Sequence, residues 1–205
     1  MQTDSAVTST TAIAALRNFV KPQPQAERCE LCSLQLPPDH AHLVEIESRS
    51  LLCCCQACGI LFSAGQNERF RRVPRRVERL TGFRLSDEQW NRLQLPVDLA
   101  FFCYHTRVGR VVAQYPSPAG AMESLLDLPA WEEIAAENPL LAQFEPDVEA
   151  LLVNRREGAR DYLRVPLDEC YRLVGLVRLH WQGFSGGSEV QTAIQQFFAG
   201  LQTRY

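Results

Sequence analysis

The chain has 205 residues, which is enough for one large or two small domains. Its 46% hydrophobic and 22% charged residues are ordinary for a folded globular protein, and no stretch approaches the roughly 20 apolar residues that a membrane helix needs. The formal net charge of −3 argues against a large basic surface for nucleic acid.

Residues 1–26 are predicted to form a flexible N-terminal segment. The start of the chain is rich in Ser, Thr and small side chains, "AIAALRNFV" could form a short helix, and "KPQPQ" favours an extended spacer. Asp4 precedes the first positive side chain, Arg17, so the segment lacks the basic start of a secretory signal peptide. The eight cysteines therefore indicate a reducing, cytoplasmic location, where clustered cysteines more often bind metal than pair as disulfides.

Residues 27–64 contain six of the eight cysteines and are predicted to form a small zinc-ribbon module. Cys29 and Cys32 make one C-x2-C unit, and a second unit lies 22 residues further on at Cys55 and Cys58. This spacing is typical of four-thiolate zinc ribbons, in which each unit sits on a tight turn with both sulfur atoms on one side. Between the units, "HLVEIESRSLLCC" predicts a hairpin that brings the two turns together. All four cysteines are therefore predicted metal ligands.

The residues next to these four cysteines are interpreted as turn and packing residues. The position after each C-x2-C unit is expected to need a left-handed backbone, which suits Gly59 better than Ser33. Cys53 and Cys54 are interpreted as packing residues of the second strand, with Cys54 facing opposite to its neighbours and Cys53 on the same face as Cys55. The alternative for Cys53 and Cys54 is a spare ligand or an oxidisable thiol beside the metal.

The identity of the metal rests on the surroundings of the four cysteines. Four thiolates in a tetrahedron suit zinc, which would stabilise a short segment, or a single rubredoxin-type iron ion, which would carry electrons. Rubredoxin-like sites usually have aromatic packing, and Phe62 is the only aromatic residue from 27 to 64. The predicted cofactor is therefore Zn²⁺, with a single Fe ion as the alternative. His40 and His42 are superfluous to four thiolates and are interpreted as exposed loop histidines.

Residues 65–205 are predicted to form a mixed α+β domain. "RFRRV" indicates a strand, and "SDEQWNRLQ" indicates a helix with a capping box between Ser86 and Gln89. "VDLAFFCYHTRVGRVVAQY" predicts a hairpin that turns near Gly109. "LPAWEEIAAENPLLAQF" predicts a helix that breaks at Pro139.

The C-terminal half of this domain continues in the same mixed pattern. "DVEALLVNR" and "DYLRVP" are predicted strands joined around Gly158, and "LDECYRLVGLVRLHW" is a predicted helix that buries a face including Cys170 and Trp181. "SEVQTAIQQFFAGLQ" is the last predicted helix, with a second capping box between Ser188 and Gln191. The predicted fold class is therefore α+β: a small zinc-ribbon (rubredoxin-like) module joined to a mixed α+β domain.

The segment from Arg69 to Arg79 carries six arginines and could bind nucleic acid beside a zinc ribbon. The preferred interpretation is a solvated strand edge that is partly balanced by acidic residues such as Glu78, so binding of nucleic acid is not predicted.

No convincing catalytic set emerges from the sequence. "GFSGGSE" lacks the lysine of a P-loop. Asp168 is interpreted as a helix N-cap, Cys170 as a buried residue, and His180 as a partner of the helix dipole. We therefore predict no catalytic residues and a protein that is not an enzyme.

Seven segments, taken in order, resemble one family of bacterial proteins. They are "RCELC" (28–32), "LLCCCQACGILF" (51–62), "PVDLAFF" (96–102), "ESLLDL" (123–128), "EPDVEALLVNR" (145–155), "CYRLVGLVR" (170–178) and "SGG" (185–187). The chain is similar to members of a family of unknown function that are encoded beside high-affinity, actinobacterial-type nickel–iron uptake hydrogenases. Other members of this family are similar to this chain in having a C-x-C-x2-C arrangement, which is formed here by Cys53, Cys55 and Cys58.

This resemblance implies a biological setting and no catalytic residues. The expected function is that of a non-enzymatic accessory protein of a nickel–iron hydrogenase, in an assembly, maturation or adaptor role. Its expected partner is a hydrogenase subunit or a maturation factor. A rubredoxin-like iron electron carrier and a zinc-ribbon nucleic-acid-binding protein are the alternatives.

Overall fold

The computed structural model describes residues 26–63, 69–183 and 186–203. Within these ranges the fold is mixed α+β, with two antiparallel sheets and helices, which confirms the predicted class at this level. The helix and spacer predicted before residue 26 lie outside the described residues. Among the helices of the described chain, none combines the length and apolarity needed to cross a membrane.

A three-stranded sheet carries the cysteine-rich segment. Its strands are β1 (Ala41–Glu45), β2 (Ser50–Cys54) and β3 (Phe70–Arg72), arranged in the order β2-β1-β3. The first two form the predicted hairpin, and β3 confirms the strand predicted around "RFRRV". Helix α1 (Gln56–Ser63) begins two residues after β2 ends.

A six-stranded antiparallel sheet forms the centre of the remaining chain. Its order is β4-β9-β8-β5-β6-β7. Both predicted pairs of strands are confirmed, with Gly109 in a left-handed turn (φ 70°) between β5 and β6. The edge strands β4 and β7 were not predicted from the sequence. The strand β4 has only two residues and β7 is a partly exposed strand of five, so neither shows a clear alternation of apolar and polar residues. The strands are β4 (Glu78–Arg79), β5 (Leu99–His105), β6 (Arg110–Ser117), β7 (Gly120–Ser124), β8 (Glu149–Asn154) and β9 (Asp161–Pro166).

The helices largely follow the predictions. The capping box between Ser86 and Gln89 is present, and α3 gives way to a 3-10 turn at Pro139. The capping box predicted at Ser188 is wrong. The last helix begins earlier, with Gly186 as its N-cap in the left-handed region (φ 89°), and Ser188 lies inside the helix without a capping bond. The helices are α2 (Asp87–Arg92), α3 (Leu128–Glu137), α4 (Leu167–His180) and α5 (Gly187–Gln202), with 3-10 turns at Pro139–Gln143 and Arg156–Gly158.

Helices cover both faces of the six-stranded sheet. Because side chains alternate along a strand, Phe101 and Cys103 of β5 pack with α4 and α5, whereas Ala100 and Phe102 pack with α2 and α3. The helix α4 buries Cys170 as predicted, but Trp181 is its C-cap and is only half-buried.

The three-stranded sheet is packed against this body rather than standing apart from it. Val44 of β1 is 1% exposed and belongs to the same buried cluster as α4 and α5. Arg71 of β3 donates a hydrogen bond to the Pro146 carbonyl at 3.0 Å and lies 3.2 Å from the Asp147 carboxylate. The sheet also takes β3 from beyond residue 64, so a distinct zinc-ribbon module is not seen as a separate unit.

The buried ion pair between Arg164 and Glu149 yields the first prediction. Their side chains are 6% and 2% exposed, and Arg164 Nε donates to Glu149 Oε1 at 2.8 Å. Replacing Arg164 by Leu should lower the free energy of unfolding by about 3–5 kcal/mol, because it leaves a buried carboxylate without its partner. Chemical denaturation measures this loss.

The exposed pair between Arg76 and Glu78 supplies the control, since its side chains are 52% and 46% exposed. Arg76→Leu should cost less than about 1 kcal/mol, as exposed ion pairs generally do. Equal losses for the two variants would contradict the assignment of the buried pair.

Candidate metal centre

The four predicted ligands come together at one end of the β1–β2 hairpin. The sulfur atoms of Cys29, Cys32, Cys55 and Cys58 all lie within 4.8 Å of one another, and we call this group the four-thiol centre. Three of the residues are buried and Cys32 is exposed. The sulfur atoms of Cys32 and Cys55 are 3.7 Å apart, far beyond the roughly 2.05 Å of a disulfide bond. A tetrahedron of thiolates about 2.3 Å from a zinc ion has edges of about 3.8 Å, so the group has the size of a metal site.

The first C-x2-C unit is a tight turn in the chain before β1. The Cys29 N–H donates to the Leu34 carbonyl at 2.8 Å, and the Ser33 N–H donates to the Cys29 carbonyl at 2.7 Å. Ser33 has a positive φ of 63° and so takes the left-handed conformation. The left-handed backbone expected after the first C-x2-C unit is therefore present at Ser33, where the hydrogen bonds of the turn hold it.

The second unit is built differently, as the entry into α1. The Gly59 N–H donates to the Cys55 carbonyl at 2.8 Å in a helical turn, and Gly59 is not among the glycines with positive φ. The expected left-handed turn at Gly59 is therefore wrong. A Cβ atom at Gly59 would lie 3.4 Å from Cys54 Sγ and 3.6 Å from Ala41 Cβ, which is ordinary van der Waals contact, so neither backbone nor packing requires glycine here.

The electrostatics of the four thiols favour a bound cation. Burial raises the pKa of Cys29, but hydrogen bonds from backbone N–H groups outweigh it and lower the pKa to about 6. The pKa of Cys58 is raised, first by burial and then by the neighbouring thiols. One thiolate thus suppresses ionisation of the next, and only a cation between them allows all four to ionise. The residues present therefore fit a tetrahedral metal ion, which the four thiolates would hold.

Cys54 lies beside the four-thiol centre as a packing residue. It is 0% exposed, and its thiol donates to the Ala41 carbonyl at 3.3 Å. Burial, followed by the nearby cysteines, raises its pKa to about 11. Because β2 ends at Cys54, Cys55 has left the strand, and the expectation that Cys53 shares a strand face with Cys55 does not apply.

The interpretation of His40 and His42 as exposed loop histidines is wrong. The His40 side chain is only 6% exposed, and His42 lies within β1 with 20% exposure. The Nδ1 atom of His42 lies 2.9 Å from Asp168 Oδ2 at the start of α4. Asp168 is therefore not the N-cap of that helix, which is Pro166, but a contact between α4 and the hairpin. The local sequence carried no signal for this contact, because the partner of His42 lies 126 residues further along the chain.

The arginine run has partners throughout. Arg75 pairs with Asp39 at 3.0 Å, Arg79 pairs with Asp161 at 3.2 Å, and Arg72 donates to the side chain of Gln56 at 3.1 Å. The other three arginines of the run, Arg69, Arg71 and Arg76, pair with Glu45, Asp147 and Glu78. Most of the positive charge is thus locally balanced.

The residues that resembled a catalytic set do not form one. Cys170 is fully buried in the core under α4, where burial raises its pKa well above the ordinary value for a thiol. His180 lies ten residues further along the same helix, which is about 15 Å. A thiol and an imidazole at this separation cannot exchange a proton directly.

Comparison with known proteins identifies the family. Residues 28–205 match the model of a family of unknown function, DUF5947. The chain belongs to this family. The DUF5947 match includes the four-thiol centre, His40, His42 and the whole six-stranded sheet. No curated protein and no solved structure matches the chain.

Replacement of single cysteines tests the four-thiol centre. Cys58→Ser should lose the metal ion of this centre and melt at a markedly lower temperature, because structural zinc contributes on the order of 10 kcal/mol in small modules. Metal content by mass spectrometry and thermal unfolding measure the two effects.

Cys54→Ser is the matched control, because a hydroxyl can still donate to the Ala41 carbonyl. This variant should keep the metal. Loss of metal from Cys54→Ser together with retention in Cys58→Ser would show that the ligands are misassigned.

Proposed function

We propose that this DUF5947 protein is a non-enzymatic accessory protein that docks a partner protein through the surface around a zinc-filled four-thiol centre. The partner is a nickel–iron hydrogenase subunit or a maturation factor, as the resemblance of the sequence implies. Zinc bound there would tie the first turn to the hairpin and to α1, and so would keep the docking surface rigid. Rigid surfaces lose less conformational entropy when they bind.

Exposed apolar side chains close in sequence to the four cysteines support this proposal. Leu34 is 59% exposed, two residues after Cys32. Ile60 and Leu61 are 53% and 69% exposed, directly after Gly59 in α1. Large apolar side chains that remain exposed in several neighbouring turns are typical of protein-binding surfaces. Each of these three side chains lies within three residues of a cysteine of the four-thiol centre along the chain.

A rubredoxin-like iron carrier is the second candidate. The rings of Phe62 and Phe70 meet edge to face at 5.9 Å, and both pack in the cluster that contains Cys29, Cys55 and Cys58. Phe70 lies outside residues 27–64, so the four-thiol centre has more aromatic packing than that segment of the sequence indicated. Colour separates the candidates, since ferric tetrathiolate absorbs visible light and zinc does not.

Deletion of the gene in the native host tests the proposed role. Hydrogen uptake should fall under inducing conditions while hydrogenase transcripts remain, because the protein acts after expression of the enzyme. Affinity purification of the tagged native protein should recover a hydrogenase subunit or maturation factor, with zinc in the same sample. Normal uptake in the deletion strain would overturn the proposal, and redox-active iron in the purified protein would favour the carrier.

A surface variant separates docking from folding. Leu61→Glu should keep the metal and the melting temperature, because the side chain is 69% exposed, yet it should fail to restore hydrogen uptake to the deletion strain. Leu179→Glu is the control: this residue is 76% exposed on α4, and lies about 16 Å along the helix from Asp168. Equal uptake in the two complemented strains would place the docking surface elsewhere.

A further inference from the structure

A second group of metal-ligating side chains lies on the same hairpin. His42 of β1 and Cys53 of β2 are directly opposite each other in the antiparallel register. Directly opposed residues lie on the same face of a sheet. His40 lies one residue before β1, and the centroid of its ring is 4.7 Å from that of the His42 ring. Their ligand atoms all lie within 4.8 Å of one another, and we call these three residues the His–Cys group.

The hydrogen bonds of both imidazoles prepare them for a metal. His40 Nδ1 lies 2.9 Å from the Pro37 carbonyl oxygen, and His42 Nδ1 lies 2.9 Å from Asp168 Oδ2. A carbonyl or carboxylate oxygen only accepts, so each Nδ1 carries the proton and each Nε2 keeps a free lone pair. Metal-binding histidines in proteins are usually held by this outer hydrogen bond.

The remaining nitrogen of His40 is otherwise unexplained. Its Nε2 atom is buried and has no hydrogen-bond partner among the described residues, and the side chain is 6% exposed. A buried polar atom without a partner is unfavourable, because it has lost its hydrogen bond to water. A metal ion bound to Nε2 would remove that cost.

The four-thiol centre holds the third residue in place. The Glu30 N–H donates to the Cys53 carbonyl at 2.9 Å, and the Cys53 N–H donates to Glu30 Oε1 at 2.7 Å. Glu30 lies between Cys29 and Cys32, so the turn that carries two of the four thiols also fixes the backbone of Cys53. Cys53 itself is absent from the four-thiol centre and groups with the histidines.

We propose that His40, His42 and Cys53 bind a second divalent transition-metal ion, Zn²⁺, with one coordination position left for an exchangeable ligand. Two imidazoles and a thiolate suit zinc, and three protein ligands with an open position are typical of zinc sites that bind water or a substrate group. The same donor set occurs in copper sites that add a weak axial methionine. Met122, the methionine within the described residues, is 41% exposed on β7 and is not part of the group.

The open position would have access to solvent through a cleft. His40 and His42 line a cavity of about 840 Å³ between the three-stranded sheet and the start of α4. Arg72, Arg75 and Arg172 contribute to its walls, together with Asp168. Cys53 is not among the residues that line this cavity, which therefore borders the His–Cys group on the side of its histidines.

Metal counting on the full-length protein tests this proposal. After growth with zinc and dialysis, the wild type should hold one ion at each group. His40→Gln and Cys53→Ala should each lose one ion and keep the other, because the four-thiol centre is unchanged. Cys54→Ser, whose residue packs beside the four thiols, should keep both ions.

His42→Gln separates a ligand from a structural contact. A glutamine amide can still donate to Asp168, so a merely structural histidine would be replaced without loss of metal, whereas a ligand would not. Cobalt added to protein that already holds one zinc ion should produce visible absorption from a sulfur–cobalt bond, and Cys53→Ala should abolish it. One ion in the wild type, a second ion retained by His40→Gln, or binding of Cu²⁺ without binding of Zn²⁺ would overturn the proposal.

Discussion

The antiparallel pairing of β1 with β2 determines where the candidate metal-ligating side chains lie. In this register Ala41 is opposite Cys54 and His42 is opposite Cys53. Because neighbouring residues of a strand face opposite sides, Cys54 packs with the four-thiol centre while Cys53 lies with the histidines. A shift of the register by one residue would exchange these faces, so both groups depend on the same set of backbone hydrogen bonds.

The hairpin is held from several directions at once. The turn between Cys29 and Cys32 bonds to the backbone of Cys53, and β3 pairs with the other edge of β1. Val44 enters the core beneath α4, and Asp168 at the start of that helix contacts His42. Each of these contacts restricts the hairpin, and a metal ion in the four-thiol centre would add a further restraint. These contacts therefore link the four-thiol centre to the six-stranded sheet and its helices.

Local patterns predicted most of the strands and helices. The hairpin around Gly109, the capping box at Ser86 and the break at Pro139 depend on residues close in sequence, and these predictions are confirmed. The error at the last helix depends on packing that the capping-box pattern does not include. Gly186, rather than Ser188, caps the last helix, and it packs against Trp181 so closely that a Cβ atom there would lie 3.3 Å from the indole ring.

The sequence by itself determined the four-cysteine cluster and the hairpin that assembles it. The reason is that the spacing within each C-x2-C unit and the alternation of a strand are local properties of the chain. Only the tertiary structure decided the burial of His40, the pairing of His42 with Cys53 and the contact of His42 with Asp168, 126 residues further along the chain. Burial and hydrogen bonding of a side chain depend on what packs against it, and for His42 that partner is Asp168 at the start of α4.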